Sequence, residues 1–268
     1  EVSNLKFDDG EELRVIAIWK PYAFANKASL DIVESTNTFL LDSGMSEGSS
    51  VSSKNQIKGH GRRNRVWNDY QESYAGSWLL FDSIPKLSPG VMQILVGLSV
   101  IETINCLTKN SVEIILKWPN DVLVSFGGEW RKVSGILIES KSSGDDNVIV
   151  AGIGINISGE YNENFDIPVG FVKELSEEIN YENINVVLNA ILASNFERIE
   201  TIPELSFPQL ERQINNQVEK AFTKLKQPLY RNSTIEFLRI LEDGSIEVLN
   251  QKQERLIIDD SESVSWGY

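Results

Sequence analysis

Apolar positions fall into two spacings along this chain, and the alternation between them outlines the fold. Val91, Ile94/Leu95, Leu98, Ile101 and Leu107 recur at helical spacing. Ser88-Pro89 precedes them, a capping hydroxyl followed by proline at the first helical position, so a helix is predicted from there to about Lys109. Cys106 rides on it and reads as a small core residue. Shorter apolar or alternating runs predict strands over 13–19, 31–33, near 50–53, and over 78–82, 113–118, 122–125, 130–139 and 148–157. Phe126-Gly127-Gly128-Glu129 separates two of them and reads as a hairpin turn, because primed turns need positive φ. Ser35 or Thr36 caps a short helix through Asp42 that Gly44 stops. Further helices are predicted over 186–201 and 208–224.

After Gln227-Pro228 the pattern changes to short strands over 233–241, 245–249, 254–258 and 263–266, with a turn at Asp243-Gly244. This tail reads as a β-barrel of about 45 residues, too small to fold alone without help, so it is expected to dock on the main body. The predicted division is 1–224 and 225–268. The fold class is α+β, a mixed β-sheet backed by helices with a C-terminal SH3-like β-barrel. No internal repeat of solenoid length is found.

Charge narrows the function. Twenty-five basic against 39 acidic residues give −14, a surface that repels phosphate backbones and argues against sequence-independent nucleic-acid binding. One cysteine excludes an internal disulfide framework and a paired-cysteine metal site, which fits a reducing, cytoplasmic location. The lone histidine, His60, limits any triad or zinc site to one imidazole. No uncharged apolar stretch reaches the roughly 18 residues of a membrane span. There is no basic-then-apolar leader.

Five stretches carry candidate chemistry. Lys58-Gly59-His60-Gly61-Arg62-Arg63-Asn64-Arg65 concentrates cations in an acidic chain. Its glycines permit a sharp turn whose N–H groups, with the arginines, suit an anion. It equally suits a solvated basic loop, and its spacing is not that of a P-loop. Lys117-Trp118-Pro119-Asn120-Asp121 must end a strand, because proline cannot donate to a sheet; Asn120 and Asp121 then stand at a strand end, where ligands gather, or simply form a turn. Lys132 heads the apolar strand Val133–Glu139. An ammonium among apolar residues needs an anion unless it reaches water. Gly135 inside that strand marks close approach of a ligand or another backbone. Gly152-Ile153-Gly154-Ile155-Asn156 resembles half a dinucleotide fingerprint, but Ile157 stands where a third glycine belongs and no helix signal follows. Glu34-Ser35-Thr36-Asn37 reads first as a helix cap, and its polar groups also suit a polar ligand head.

In this order the five stretches, with Trp67 after the basic loop, resemble the biotin protein ligase family, from about residue 31 to 157 and more loosely into the C-terminal strands. The resemblance implies a catalytic domain of the kind shared with class II aminoacyl-tRNA synthetases. It implies two steps: biotin and Mg2+-ATP give biotinyl-5′-AMP and pyrophosphate, then a lysine of a biotin carboxyl carrier domain takes the biotin and releases AMP. About 30 residues precede the Glu34 motif and read as strand and loop, so the form without a DNA-binding domain is expected. No membrane partner is implied, and monomer and homodimer both remain open.

By motif position, the resemblance implies that Ser35, Thr36, Asn37 and Gln56 hold the ureido ring of biotin, and that Gly59, His60, Gly61 and Arg62 close over it with Gly135. Arg62, Arg63, Arg65, Trp67, Lys117, Asn120, Lys132 and Asn156 would bind ATP, with Trp67 stacked on adenine. Lys132 would bridge the biotin carboxylate and the α-phosphate, and Asp121 would steer or deprotonate the incoming lysine; with Arg62 these are the catalytic candidates. No resident metal ligands are implied. His60 departs from the family, which usually has Arg or Lys there; an imidazole is shorter and mostly uncharged at neutral pH. Asn64 also replaces a common glycine. The competing readings are a lipoate or octanoate ligase or transferase of the same superfamily, and a biotin-binding regulator without turnover.

Overall fold

Strand β9 (Asp146–Ser158) shows how the main sheet is built. Ile149, Ala151, Ile153, Ile155 and Ile157 alternate onto one face and are buried in the large apolar core, while Val150, Gly152, Gly154 and Asn156 point to the other. The computed structural model describes residues 5–6, 12–13, 27–67, 70–81, 87–143, 146–161, 167–201 and 207–267. Most of the strand expected over 13–19 lies outside them, as does Asp82.

A two-residue ladder joins β1 (Leu5–Lys6) to β2 (Glu12–Leu13). The main sheet adds β3 (Lys27–Val33), β4 (Ser50–Gln56), β5 (Glu72–Phe81), β6 (Ile114–Lys117), β7 (Asp121–Phe126) and β8 (Glu129–Ser143) to β9. Its order is β3-β4-β5-β9-β8-β7-β6, parallel between β3 and β4 and antiparallel elsewhere. Gly127 and Gly128, both at positive φ, make the predicted β7–β8 turn.

On the isoleucine face lies α2 (Pro89–Leu107), capped by Ser88 as expected. It approaches the sheet closely because Gly97 sits over Leu116; a Cβ at Gly97 would come within 2.6 Å of that side chain. This helix is long and apolar enough to cross a membrane, but Glu102 interrupts its uncharged run and 61% of the window is buried inside the protein. Cys106 corrects the core expectation. It lies one turn after Glu102 on the solvent stripe of α2 and is exposed. Helix α3 (Tyr181–Thr201) packs on α2 and β5, and starts earlier than predicted because Asn180 Oδ1 accepts the Asn183 N–H at 2.9 Å. The opposite sheet face is covered at one end by α1 (Thr36–Ser43), with Leu40 packed on Val51, Leu79 and Val150. Ser35 caps it and Gly44 ends it at φ 64°.

After α4 (Phe207–Lys224) come β10 (Lys226–Tyr230), β11 (Ser233–Ile240), β12 (Ile246–Asn250), β13 (Arg255–Ile258) and β14 (Val264–Gly267). Here the structure overturns the barrel expectation. The five strands form an open antiparallel sheet in the order β13-β12-β11-β10-β14, so the SH3-like closure is absent. The chain leaves β13 through a 3-10 turn, Ser261–Ser263, and crosses to the far edge beside β10. Strand β10 was missed because Pro228 lies inside it, at a register shift in its pairing with β14.

Among the contacts that hold the C-terminal sheet against the main body, two involve aromatic side chains and a tight turn. Phe222 of α4 packs against Phe237 and Trp266, with ring centroids 5.1 and 4.8 Å apart. Trp118 Nε1 donates to Gly244 O at 2.9 Å, and Gly244, at φ 88°, lies against Gly90 in the first turn of α2. A Cβ at Gly90 would stand 2.2 Å from Asp243 O, backbone that cannot swing aside. Gly90→Ala is therefore expected to lower unfolding free energy by about 1–3 kcal/mol in urea titration. An unchanged midpoint would show that the turn at Asp243-Gly244 yields freely.

Candidate functional site

The uncovered part of the sheet face opposite α2 is the floor of a cleft of about 770 Å³, in the range of small-molecule and cofactor sites. Gly152, Gly154 and Gly135 keep that floor free of side chains. Two polar residues use the space. Asn37 lies on Gly152, where a Cβ would approach its Oδ1 to 2.3 Å, and the Trp67 indole lies on Gly154 and Gly135, where Cβ atoms would approach it to 2.4 and 2.8 Å. What approaches Gly135 closely is thus a side chain of this protein.

The end of the cleft near α1 is a hydrogen-bonded network. Thr36 N–H and Oγ1 both donate to Gln56 Oε1, at 2.8 and 3.1 Å. Ser77 Oγ donates to Asn37 Oδ1 at 2.6 Å and lies 2.7 Å from Thr36 Oγ1. Asn37 Nδ2 donates to Glu139 Oε2 at 2.7 Å, and His60 Nε2 lies 3.2 Å from both oxygens of the same carboxylate. Ser77 and Glu139 were not among the predicted roles. The alternation of β8 from Gly135 to Leu137 to Glu139 is the signal that places Glu139 on this face.

The other end holds the charges. Asp121 begins β7 and is paired across the hairpin with Lys117, the last residue of β6; the turn between them includes a cis Trp118–Pro119 bond. Lys132 reaches the same place through a β-bulge. Val122 pairs with Ser134 and Leu123 with Lys132, so Val133 is an extra residue in β8. In strict alternation Lys132 would share a face with Ile136, which packs on α2; the bulge turns it to the Gly135 side. Its backbone pairs instead with a neighbouring segment: Lys132 N–H donates to Pro168 O, and Gly170 N–H to Lys132 O. Lys132 Nζ lies 2.6 Å from Asp121 Oδ1, and Lys117 Nζ 3.4 Å from Oδ2. Burial alone would push the Asp121 carboxyl up, but the two ammonium groups more than offset it and hold it below its ordinary value. Burial pushes Lys117 down, against the pull of Asp121. Among the described residues, two ammoniums against one carboxylate leave this buried cluster one anion short.

The basic loop forms the third wall. Val66 bridges back to His60, and the tip is a 3-10 turn, Arg62–Asn64, with Arg63 at φ 56°. Gly59 is confined between Gln56 and Trp67, but Gly61 is extended and its N–H donates to Arg65 O. The glycine freedom expected at position 61 is therefore not what shapes the turn. The arginines face the C-terminal 3-10 turn: Arg62 donates to Ser261 Oγ at 2.6 Å, Arg63 pairs with Asp260 at 2.9 Å, and Arg65 pairs with Glu262. Nothing in the sequence links residues 62–65 to 260–262, so this contact was not foreseen.

Of the predicted residues, Ser35, Asn37, Gln56, His60, Gly61, Arg62, Arg65, Trp67, Lys117, Asn120, Asp121, Lys132, Gly135 and Asn156 line the cleft. Thr36 and Gly59 stand behind it, and Arg63 points out to Asp260. Asn120 Nδ2 donates to Ile136 O, and Asn156 Nδ2 to Lys132 O. Among the described residues, Asn156 Oδ1 and Trp67 Nε1 are buried without a hydrogen-bond partner. One is an acceptor and one a donor, and both belong to residues lining the cleft. Trp266 of β14 closes the cleft beside Lys117, its ring centroid 5.7 Å from the ammonium.

Residues 29–156 match the model of the biotin/lipoate A/B protein ligase family. The chain is 32% identical over 129 residues to the biotin--[acetyl-CoA-carboxylase] ligase of Paracoccus denitrificans, covering 47% of this chain and 52% of that protein. It is 29% identical over 141 residues to the bifunctional ligase/repressor BirA of Bacillus subtilis, covering 50% and 41%. The matched stretch thus spans about half or less of these relatives. In architecture it is similar to the biotin protein ligase from Aquifex aeolicus in complex with biotin and ATP, with a TM-score of 0.69 and 25% identity over 91% of this chain and 99% of that one. The matched stretch contains the glycine floor, the Asp121 cluster and the basic loop, and on that match residues 29–156 belong to the biotin/lipoate A/B protein ligase family.

Proposed function

We propose that this chain is an ATP-dependent biotin protein ligase, a biotin–[acetyl-CoA-carboxylase] ligase acting on a biotin carboxyl carrier domain. The observation that carries the reading is the buried Lys117–Asp121–Lys132 cluster, one anion short, at the end of a cleft whose other end is a hydrogen-bonding pocket lined by the neutral side chains of Ser35, Asn37 and Gln56. An acid with a polar, neutral head and a carboxylate tail matches that order. Ser35, Asn37 and Gln56 face the head, with Thr36 fixing Gln56 from behind. Lys132, the more exposed of the two lysines at 24% against 11%, meets the carboxylate and the α-phosphate.

In the first step a carboxylate oxygen of biotin attacks the α-phosphorus, and pyrophosphate leaves with the electron pair of the broken P–O bond. Charge moves onto the α-phosphoryl oxygens, where a fixed ammonium in a water-poor site is worth most. Magnesium enters with the nucleotide as part of the substrate. Arg62 and Arg65 reach the cleft from the loop, and Asn120, Trp67 and the free acceptor of Asn156 suit the nucleotide's base and sugar. In the second step the acceptor lysine attacks the acyl carbon of the mixed anhydride and AMP leaves. Asp121 is the carboxylate placed to take the proton that this amine must lose.

Support for biotin over lipoate or octanoate comes from the same network. Ser35, Asn37 and Gln56, backed by Thr36, Ser77 and Glu139, give a polar pocket end that is costly to bury against an aliphatic head without polar atoms. The deciding experiment is intact mass of a biotin carrier domain after incubation with Mg2+-ATP and biotin, lipoate or octanoate in parallel. A biotin-sized gain on one carrier lysine is expected; a gain with lipoate or octanoate alone would assign the sister activity, and ligand binding without any transfer would assign a regulator.

Lys132→Ala is expected to slow biotin-dependent pyrophosphate–ATP exchange by roughly a hundredfold or more, with little change in the thermal midpoint. Exchange near the wild-type rate would remove Lys132 from the reacting centre.

A further inference from the structure

Each oxygen of Asp121 has its own ammonium, and the two lysines are held differently. Lys132 stands on a bulge, its backbone braced by the segment from Pro168 to Gly170 and its ammonium over the Trp67 ring at 5.5 Å, and it is the more exposed of the two. Lys117 is boxed in: it faces Asp121 across the β6–β7 hairpin and has the Trp266 ring on another side. On the reading proposed above, on which this inference rests, Lys132 turns to the ligand's carboxylate and phosphate. Asp121 would then be a buried carboxylate with one remaining cation. A buried carboxylate without a partner takes up a proton, and a protonated Asp121 cannot accept one from the incoming lysine.

We propose that Lys117 is a positioning residue that keeps Asp121 a carboxylate, and in place, after Lys132 has turned to the ligand. Among the described residues, the charged groups around the pair are few. Asp121 faces Lys117 from β6 and Lys132 from β8, and Lys117 also feels Glu262 of the C-terminal turn. The transfer step then balances. The acceptor ammonium gives its proton to Asp121, the free amine forms the amide bond, and AMP departs with the electrons of the broken acyl–oxygen bond. Asp121 returns its proton to solvent after AMP leaves. Removing the Lys117 charge weakens anion binding in both steps and adds, in the second alone, a handicap at low pH, where Asp121 is no longer ionised.

The test separates the two steps. Single-turnover transfer from preformed biotinyl-5′-AMP to a carrier domain is followed across pH for the full chain, Lys117→Met and Lys117→Arg, with pyrophosphate–ATP exchange measured in parallel at saturating ATP. In Lys117→Met the acid limb of transfer is expected to move up by about one pH unit or more, the size of effect an opposite charge at this distance exerts on a carboxylate. Lys117→Arg keeps the charge and should restore the limb, and the acid limb of exchange, a step that needs no proton taken by Asp121, should not move. If Lys117→Met does not fold, judged by circular dichroism, Lys117→Gln serves the same comparison. An unmoved acid limb of transfer, equal limbs in the methionine and arginine variants, or the same shift in the acid limb of exchange would overturn the assignment while leaving the ligase reading intact. Absence of both exchange and transfer in the unaltered chain would overturn both.

Discussion

The middle of one sheet face has to stay bare, and most of the structure follows from that. Gly135, Gly152 and Gly154 lie side by side on β8 and β9, with Gly135 paired to Gly154 across the ladder. Their neighbours Ile136, Ile153 and Ile155 supply the core on the other side, so the same two strands fill one face and empty the other. Substituting any of these glycines would drive a Cβ into Trp67 or Asn37, the two residues laid on the bare strip. Glycine here is chosen for space: none of the three has a positive φ. The cost is looser strand propensity, which the long antiparallel ladders of β9 with β5 and β8 offset.

A chain of net charge −14 nevertheless concentrates positive charge in this one cleft. The cluster at Asp121 does so by burial. Asp121 and Lys117 are desolvated, and their separation from water makes each interaction stronger than it would be on the surface. The basic loop does so by number, with cations that stay largely exposed. The surrounding acidic surface discourages nonspecific polyanions, while the cleft remains positive at short range, within a Debye length of about 8 Å at physiological salt.

Local sequence spoke clearly where one element carries its own signal. The caps at Ser35 and Ser88, the Gly127-Gly128 turn and the alternation of β9 all lie where short-range chemistry puts them. The motifs also converge: residues as distant as Ser35 and Asn156 line one cleft. What escaped was non-local. The bulge at Val133 is set by pairing with β7 and by the segment at Pro168, and no local pattern announces it. The barrel expectation failed because strand count and spacing are the same for an open and a closed sheet. Closure depends on where the chain goes between β13 and β14, and that path is taken by a turn engaged with distant arginines. Cys106 failed because an apolar helix this long still has one solvent stripe.

The two kinds of ion pair in the cleft differ in what can be exchanged. Arg63–Asp260 and Arg65–Glu262 are exposed, and pairs of that kind contribute about 0–1 kcal/mol each, less as salt rises. Such contacts place the loop beside the C-terminal turn without committing the arginines to it, since an incoming anion offers at least as much. The Asp121 pairs are different. Their carboxylate is almost fully removed from water, and losing both cations would cost more than a surface pair ever contributes, because it would leave buried charge uncompensated. A second lysine beside that carboxylate is then not redundant. With one cation alone the cluster would be neutral and would have no reason to attract an anion; with two it is stable around Asp121 and still one negative charge short.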